Sequence, residues 1–187
     1  VLRLMKYCVD TKERCWELKP SRTWDGKDKS FLFKIRGKSD SNYATCKETR
    51  RSVTGYIVWL EDSLIAVKSG MQKIVALSVT EAEVIALVQC VQEMMYMKKI
   101  MESLELNVEL PMTVEVDNQG AVDLVNGWSS SGGTKHMDVR IMWLRELKEK
   151  KIIQVQWQPT KENEADVFTK NVDGATFEKH LRALVVD

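Results

Sequence analysis

Histidine, cysteine and proline are all scarce in this 187-residue chain, and each shortage narrows what it can be. It has two histidines (His136, His180) and four scattered cysteines (Cys8, Cys15, Cys46, Cys90), with no CxxC or other metal-ligand spacing, so no structural zinc site is expected. Cysteines scattered at irregular intervals fit a reducing, intracellular compartment best. No serine or cysteine sits in a local pattern that marks a nucleophile. No apolar run approaches the about 20 residues that span a bilayer, and no signal-peptide pattern opens the chain, so no membrane partner is expected. The formal net charge is only +1. Contact with nucleic acid would therefore need local basic clusters rather than a strongly basic whole. Internal repeats and low-complexity tracts are absent too. The first residue is Val rather than Met, which suggests a piece of a longer polypeptide.

What remains is an ordinary globular composition, 44% hydrophobic and 29% charged. The length suits one domain with an appended segment. Residues 1–12 form an amphipathic helix candidate with Val1, Leu4, Met5 and Cys8 on one side. A polar stretch with Pro20 and Gly26 reads as a linker, and the division expected is 1–29 as N-terminal helix and linker, 30–187 as the main domain. Strand candidates follow at 31–36, 53–60 and 64–68, the last two joined by a tight turn at Glu61-Asp62-Ser63. A long helix is predicted over 78–104. Ser78-x-x-Glu81 has the form of a capping box, and Leu87, Cys90, Val91, Met94 and Met101 mark its apolar stripe. Next come a short β-branched strand ending at Asp117, a helix, and a Gly/Ser loop at 126–133. A helix capped by Thr134 then buries Met137, Ile141, Leu144 and Leu147. A strand at 151–158, a helical region around Asp166 and a terminal helix from about 175 complete the chain. Antiparallel strands followed by alternating helices and strands predict an α/β fold: a mixed sheet flanked by helices.

Four acids occupy comparable places: Asp40 after the first strand, Glu83 in the first turns of the long helix, Asp117 after the fourth strand and Asp166 in the late helical region. Ligands in open α/β sheets bind outside the carboxyl ends of the strands. Hard divalent cations take such oxygen ligands, and two ions about 3.5–4 Å apart can clamp an in-line phosphoryl displacement. Each acid also has a structural reading. Asp40 suits a turn, Asp117 a helix cap, Asp166 a helix N-terminus, and Glu83 a surface position.

Five stretches in order resemble the ribonuclease H domain of copia-type long-terminal-repeat retrotransposons. They are Arg51-Ser52-Val53-Thr54-Gly55-Tyr56, then 75–83 (VALSVTEAE), Val116-Asp117-Asn118-Gln119, 134–140 (TKHMDVR), and 164–170 (EADVFTK). The resemblance runs from Lys38 to Lys179. It implies a ribonuclease H-like fold, a five-stranded mixed sheet of three antiparallel strands then two parallel, with the first strand central and helices on both faces. It implies Asp40, Glu83, Asp117 and Asp166 as ligands of two Mg²⁺ ions, with Mn²⁺ as a substitute, and cleavage of the RNA strand of RNA/DNA hybrids during reverse transcription. Residues 1–20 resemble the segment that follows reverse transcriptase, which makes that enzyme a partner within one polyprotein. The implied setting is intracellular: cytoplasm, virus-like particles or nucleus.

Departures from the family are visible. Asp40-Ser41-Asn42-Tyr43-Ala44 stands where the family has Asp-Ala-Asp-Trp-Ala, so Asn42 replaces a second acid; Lys38 replaces a usual aromatic, and Ser69-Gly70-Met71-Gln72 is less basic than usual. A catalytically decayed module that binds nucleic acid or supports a polymerase is the alternative that Asn42 and the thinned basic segments suggest. Candidate substrate contacts are Lys47, Arg50 and Arg51 in the first loop, Lys68 and Lys73 before the long helix, Asn118 and Gln119 beside Asp117, and Lys135 and Arg140. Ordinary solvated charge is the rival reading for the cations, and helix capping for Asn118. His136 opens a helix and is a candidate proton relay or phosphate contact, against a purely structural role.

Overall fold

The computed structural model describes the backbone of residues 2–16, 18–127, 135–182 and 184; the side chains of 3, 4 and 135–138 lie outside the described set. Its centre is a five-stranded sheet in the order β4-β3-β2-β6-β7. The strands are β2 (Ile35–Asn42), β3 (Val53–Leu60), β4 (Ser63–Met71), β6 (Met112–Val116) and β7 (Ile153–Trp157). β2, β3 and β4 pair antiparallel, while β6 pairs parallel to both β2 and β7. The first long strand is therefore central, as expected. A separate two-stranded parallel pair, β1 (Leu32–Phe33) with β5 (Asn107–Val108), was not anticipated.

The helices are α1 (Leu2–Asp10), α2 (Val79–Ser103), α3 (Gln119–Asn126), α4 (Lys135–Glu149) and α5 (Gly174–Leu181). None among the described residues is long and apolar enough to cross a membrane. α2 starts where the sequence predicts: Ser78 Oγ accepts from Glu81 N (3.1 Å), while Glu81 Oε2 accepts from Leu77 N (2.7 Å). The reciprocal cap thus reaches one residue further back than the motif assumes. Leu87, Cys90, Val91, Met94 and Met101 are all buried. On α4, Ile141, Leu144 and Leu147 are buried too. The predicted Thr134 cap, residues 128–133 of the predicted loop and the Met137 side chain lie outside the described residues, while Asn126 of that loop instead ends α3 and Gly127 caps it in the left-handed region (φ 84°). On α1, Met5 and Cys8 of the predicted apolar side are exposed.

Alternation along the strands separates two faces. Ile35, Tyr56, Val58, Val114 and Val116 point to one face and join α2, α3 and α4 in the main core. Ile57, Trp59 and Leu64 point to the other and meet Ala165, Val167, Phe168 and Leu184. Two glycines set the layer spacing. A Cβ on Gly37 would stand 2.7 Å from Cys90 Sγ, so only glycine lets α2 sit this close to β2. A Cβ on Gly55 would stand 2.6 Å from Thr169 Cγ2 and 2.9 Å from Ala165 O, so the second face likewise depends on a missing side chain.

Two expectations need correction. Asp40 does not follow the first strand but lies inside it, paired with Gly55, because the antiparallel register with β3 continues to Asn42↔Val53. The region around Asp166 is not α-helical but two 3₁₀ turns, Thr160–Glu162 and Glu164–Phe168. Their bonds span three residues (Glu162 N to Pro159 O, Asp166 N to Asn163 O), and the Asn163 side chain caps the second turn through Ala165 N.

Candidate active site

Strand β2 delivers Asp40 and β6 delivers Asp117 to neighbouring positions because the two run parallel and adjacent, with Ser39 level with Val116. Asn118 takes the N-cap of α3, its Oδ1 accepting from Ala121 N at 2.9 Å, so Asp117 is released from the capping role that was its structural alternative. α2 crosses the same strand ends and brings Glu83 inward. One carboxylate oxygen from each of Asp40, Glu83 and Asp117 lies within 4.8 Å of the other two.

Asp40 and Glu83 are almost fully buried, and Asp117 is half-buried. Ser41 holds Glu83 in place by donating from N (3.2 Å) and Oγ (2.8 Å) to Oε1. Glu83 Oε2 is buried and takes no hydrogen bond among the described residues. Burial, then the charge of Asp40, pushes the Glu83 carboxyl well above its usual range. Burial pushes Asp40 up to about 7, with repulsion from Asp166 and Asp117 adding to it and the Thr169 hydroxyl and Lys170 ammonium opposing it. Three converging acids, one with an orphaned buried oxygen, are costly unless protons or a cation intervene. The donor set is all oxygen, which suits a hard divalent ion such as Mg²⁺ or Mn²⁺.

Asp166 enters from the second face. Its 3₁₀ turn continues into a tight bend, in which Thr169 N and Lys170 N both donate to Asp166 O at 3.1 Å. That bend returns Lys170 Nζ to 2.9 Å from Asp166 Oδ1 and 3.8 Å from Asp40 Oδ2. The Thr169 hydroxyl donates to Asp40 Oδ2. Asp166 is thus joined to the other acids through Lys170 and Thr169 rather than standing in the close trio. Burial raises its carboxyl, against the nearby Lys170 ammonium, and its Oδ1 takes no hydrogen bond of good geometry among the described residues.

The substrate-contact candidates divide. Lys68, Lys73 and Arg140, from three separate segments, line one groove of about 320 Å³ with Gln89 and Gln92, beside the helix that carries Glu83. Arg50, Arg51 and Lys47 are exposed on the β2–β3 loop and do not themselves line that groove, although Thr49 of the same loop meets Met71 on its wall. Gln119 Nε2 donates to Asp123 along α3 (2.7 Å). Lys135 and His136 open α4, but their side chains lie outside the described residues.

Sequence reasoning missed several side chains at this end. Lys38, read as a lost aromatic, is buried: its Nζ donates to Glu162 O (2.9 Å) and stands 2.6 Å from Glu164 and 3.5 Å from Glu115. Asn42, read as a lost acid, donates to Thr169 O (3.2 Å), which a carboxylate could not do. Trp157, half exposed, donates from Nε1 to the Asp117 carbonyl (3.1 Å). Lys170 sits in the matched stretch 164–170, and its spacing of four from Asp166 was the available signal.

No family model matches the chain. Solved structures with the same architecture are ribonucleases H: one isolated from compost by a metagenomic approach (TM-score 0.56, 15% identity, 79% of this chain and 98% of that one) and one from Halobacterium salinarum NRC-1 (TM-score 0.52, 14% identity, 73% and 94%). The chain has the ribonuclease H fold. In sequence it is 37% identical over 144 residues, 77% of its length, to the retrovirus-related Pol polyprotein from transposon TNT 1-94 of Nicotiana tabacum. It is 26% identical over 176 residues, 94% of its length, to that of transposon RE1 of Arabidopsis thaliana. These homologues are copia-type retrotransposon Pol polyproteins. The chain spans only 11% of the length of either.

Proposed function

We propose that this ribonuclease H-like domain is a metal-dependent endonuclease that hydrolyses the RNA strand of RNA/DNA hybrids during reverse transcription. The observation that carries the reading is the convergence of Asp40, Glu83 and Asp117, with a buried Glu83 oxygen that takes no hydrogen bond among the described residues and Asp166 alongside. One of the structurally similar ribonucleases H has been crystallised in complex with an RNA/DNA hybrid.

Asp40, Glu83, Asp117 and Asp166 would hold the two Mg²⁺ ions, for which Mn²⁺ would substitute. When bound, such ions lower the pKa of water and stabilise charge on the attacking and leaving oxygens. The chain's own part is to hold the carboxylates where the ions and a phosphodiester meet. Ser41 fixes the rotamer of Glu83, Thr169 fixes Asp40, and Asn118 takes over the helix cap so that Asp117 is free. The groove of Lys68, Lys73 and Arg140 would take backbone phosphates by charge. Arg50, Arg51, Lys135, Asn118 and Gln119 are further substrate contacts in this reading, and His136 a proton relay or phosphate contact.

Residues 1–29 belong, on this reading, to the connection from a reverse transcriptase in the same polyprotein, with 30–187 the ribonuclease H-like unit. The connection does not hang free: Arg14 pairs with Glu178 (3.2 Å) and Ser21 N donates to Glu61 O (2.8 Å). The setting is intracellular, in cytoplasm or virus-like particles with access to the nucleus. Against the decayed-module alternative stand the structural hydrogen bond that Asn42 makes to Thr169 O and the presence of all four acids.

The experiment is a substrate panel: labelled RNA/DNA hybrid, duplex DNA and duplex RNA, each with Mg²⁺ or with EDTA. Cleavage confined to the RNA strand of the hybrid and abolished by EDTA is expected. Cleavage of duplex DNA instead, or tight hybrid binding without turnover, would overturn the reading.

A further inference from the structure

Glu83 reaches the centre from a helix, whereas Asp40 and Asp117 come from strands, so its place depends on how α2 is fastened to the sheet. One fastening acts on the side chain: Ser41 N and Oγ donate to Glu83 Oε1 at 3.2 and 2.8 Å. A second acts on the backbone one residue earlier. Gln72 Nε2 donates to the Ala82 carbonyl at 3.0 Å and to Thr54 Oγ1 at 3.1 Å. A carbonyl can only accept, which settles which end of the amide faces α2. Thr54 is in turn the β3 residue level with Ser41 on β2. The contacts therefore close a ring. It runs from Glu83 to Ser41, across the ladder to Thr54, through Gln72 to Ala82, and along the helix back to Glu83.

Every member of the ring is buried, and Gln72 is only 1% exposed. The Gln72 backbone N donates to Ser52 O at 2.8 Å, so the amide projects from a fixed point. Its Oε1 is buried and takes no hydrogen bond among the described residues. Ordering a long polar side chain costs rotamer entropy, and burying an amide oxygen without a partner costs desolvation. An apolar side chain of that length would fill the space without the second cost. What it could not do is hold the Ala82 carbonyl against β3.

We infer that Gln72 is a positioning residue for Glu83: it pins the α2 backbone beside that acid to β3, so that Ser41 and Gln72 hold Glu83 from both sides. The inference rests on the nuclease reading above and deepens it. Gln72 acts through α2 rather than on substrate. Without its amide the first turns of α2 shift relative to β2, and Glu83 turns from Asp40 and Asp117 although the apolar stripe of the helix stays packed.

The test is steady-state cleavage of a labelled RNA/DNA hybrid with Mg²⁺ by the full 187-residue chain. It compares the parent, Gln72→Met, and Leu87→Ala, which weakens the same helix from its buried stripe. Rates are taken per folded molecule, at a temperature where all three are folded. Gln72→Met is expected to lower kcat about tenfold or more with KM within about threefold, while Leu87→Ala stays within about twofold of the parent in both. Equal kcat in the parent and Gln72→Met overturns the inference, and so does an equal loss in Leu87→Ala. If Gln72→Met fails to fold, Thr54→Val takes its place, with a fall in kcat of about threefold expected and an unchanged kcat overturning the inference. If the parent itself cleaves no hybrid, the nuclease reading falls instead, and crystal structures of the parent and the variant decide the inference. Glu83 displaced from Ser41 in the variant supports it, and Glu83 unmoved overturns it.

Discussion

The two faces of the central sheet are held by different physics. The face under α2, α3 and α4 is apolar, a continuous core from Ile35 through Leu87 and Val114 to Leu144. The opposite face has only a small apolar cluster, and its 3₁₀ segment is fastened by polar contacts: Lys38 to Glu162 and Glu164, Asn163 to the Ser39 carbonyl, Asn42 to the Thr169 carbonyl. Glu83 is carried by α2 of the first core and Asp117 follows β6, whereas Asp40 alternates with Lys38 and Asn42 onto the second face and is bonded there by Thr169, beside Asp166. Hydrophobic burial is non-directional and positions a whole layer, whereas hydrogen bonds position single groups. The contrast implies that damage to the helical face lowers stability, and damage to the 3₁₀ face lowers activity as well, by moving Asp166.

The sharpest way to break this comparison is Lys38→Met. It leaves Glu164 and Glu115 without their buried cation, and removal of one partner of a buried pair costs about 3–5 kcal/mol. Denaturant unfolding should register that loss, and Asp166-dependent cleavage should fall with it. A cost below that of a core truncation would mean the polar fastening is ornamental. Leu87→Ala, in the helical core, should cost about 2–5 kcal/mol. Cleavage per folded molecule should stay close to that of the parent at a temperature where the variant remains folded. Gly55→Ala should cost about 1–3 kcal/mol through overpacking against Ala165 and Thr169. Its loss of cleavage per folded molecule should nonetheless exceed that of Leu87→Ala. The smallest effect is on pH. Without metal, Asp40 titrates near 7 in the folded chain against an ordinary 3.8, so between those values the native state binds more protons than the unfolded one. Ion-free stability should therefore fall as pH rises from about 4 to 7, and Mg²⁺ should raise the melting temperature more at pH 8 than at pH 5. Equal gains at both would contradict the burial assigned to Asp40.

Much of the helical face was legible in the sequence because its signals are local. The Ser78 cap, the stripe from Leu87 to Met101 and the strand candidate Val53–Leu60 each read out within one element. The second face was not legible, because its determinants lie far apart in the chain. The length of β2, and so the place of Asp40 within it, is set by pairing with β3. The 3₁₀ turns around Asp166 depend on a fit against Gly55, more than a hundred residues earlier. Lys38 and Asn42 looked like losses relative to a family pattern because a sequence position does not reveal which way a side chain faces. All four acids could be nominated in advance, by placement and then by resemblance. Their division into a close trio and a lysine-bridged fourth could not.

The central claim is that the acids at the ends of β2 and β6 perform the chemistry while contributing little to the fold. It is tested most directly by single-turnover cleavage of a labelled RNA/DNA hybrid at saturating Mg²⁺, comparing the parent with Asp117→Asn. The account predicts a fall of at least about a thousandfold, of the order that removing a key transition-state contact produces, with the melting temperature unchanged or raised. Cleavage by Asp117→Asn at the rate of the parent would contradict it.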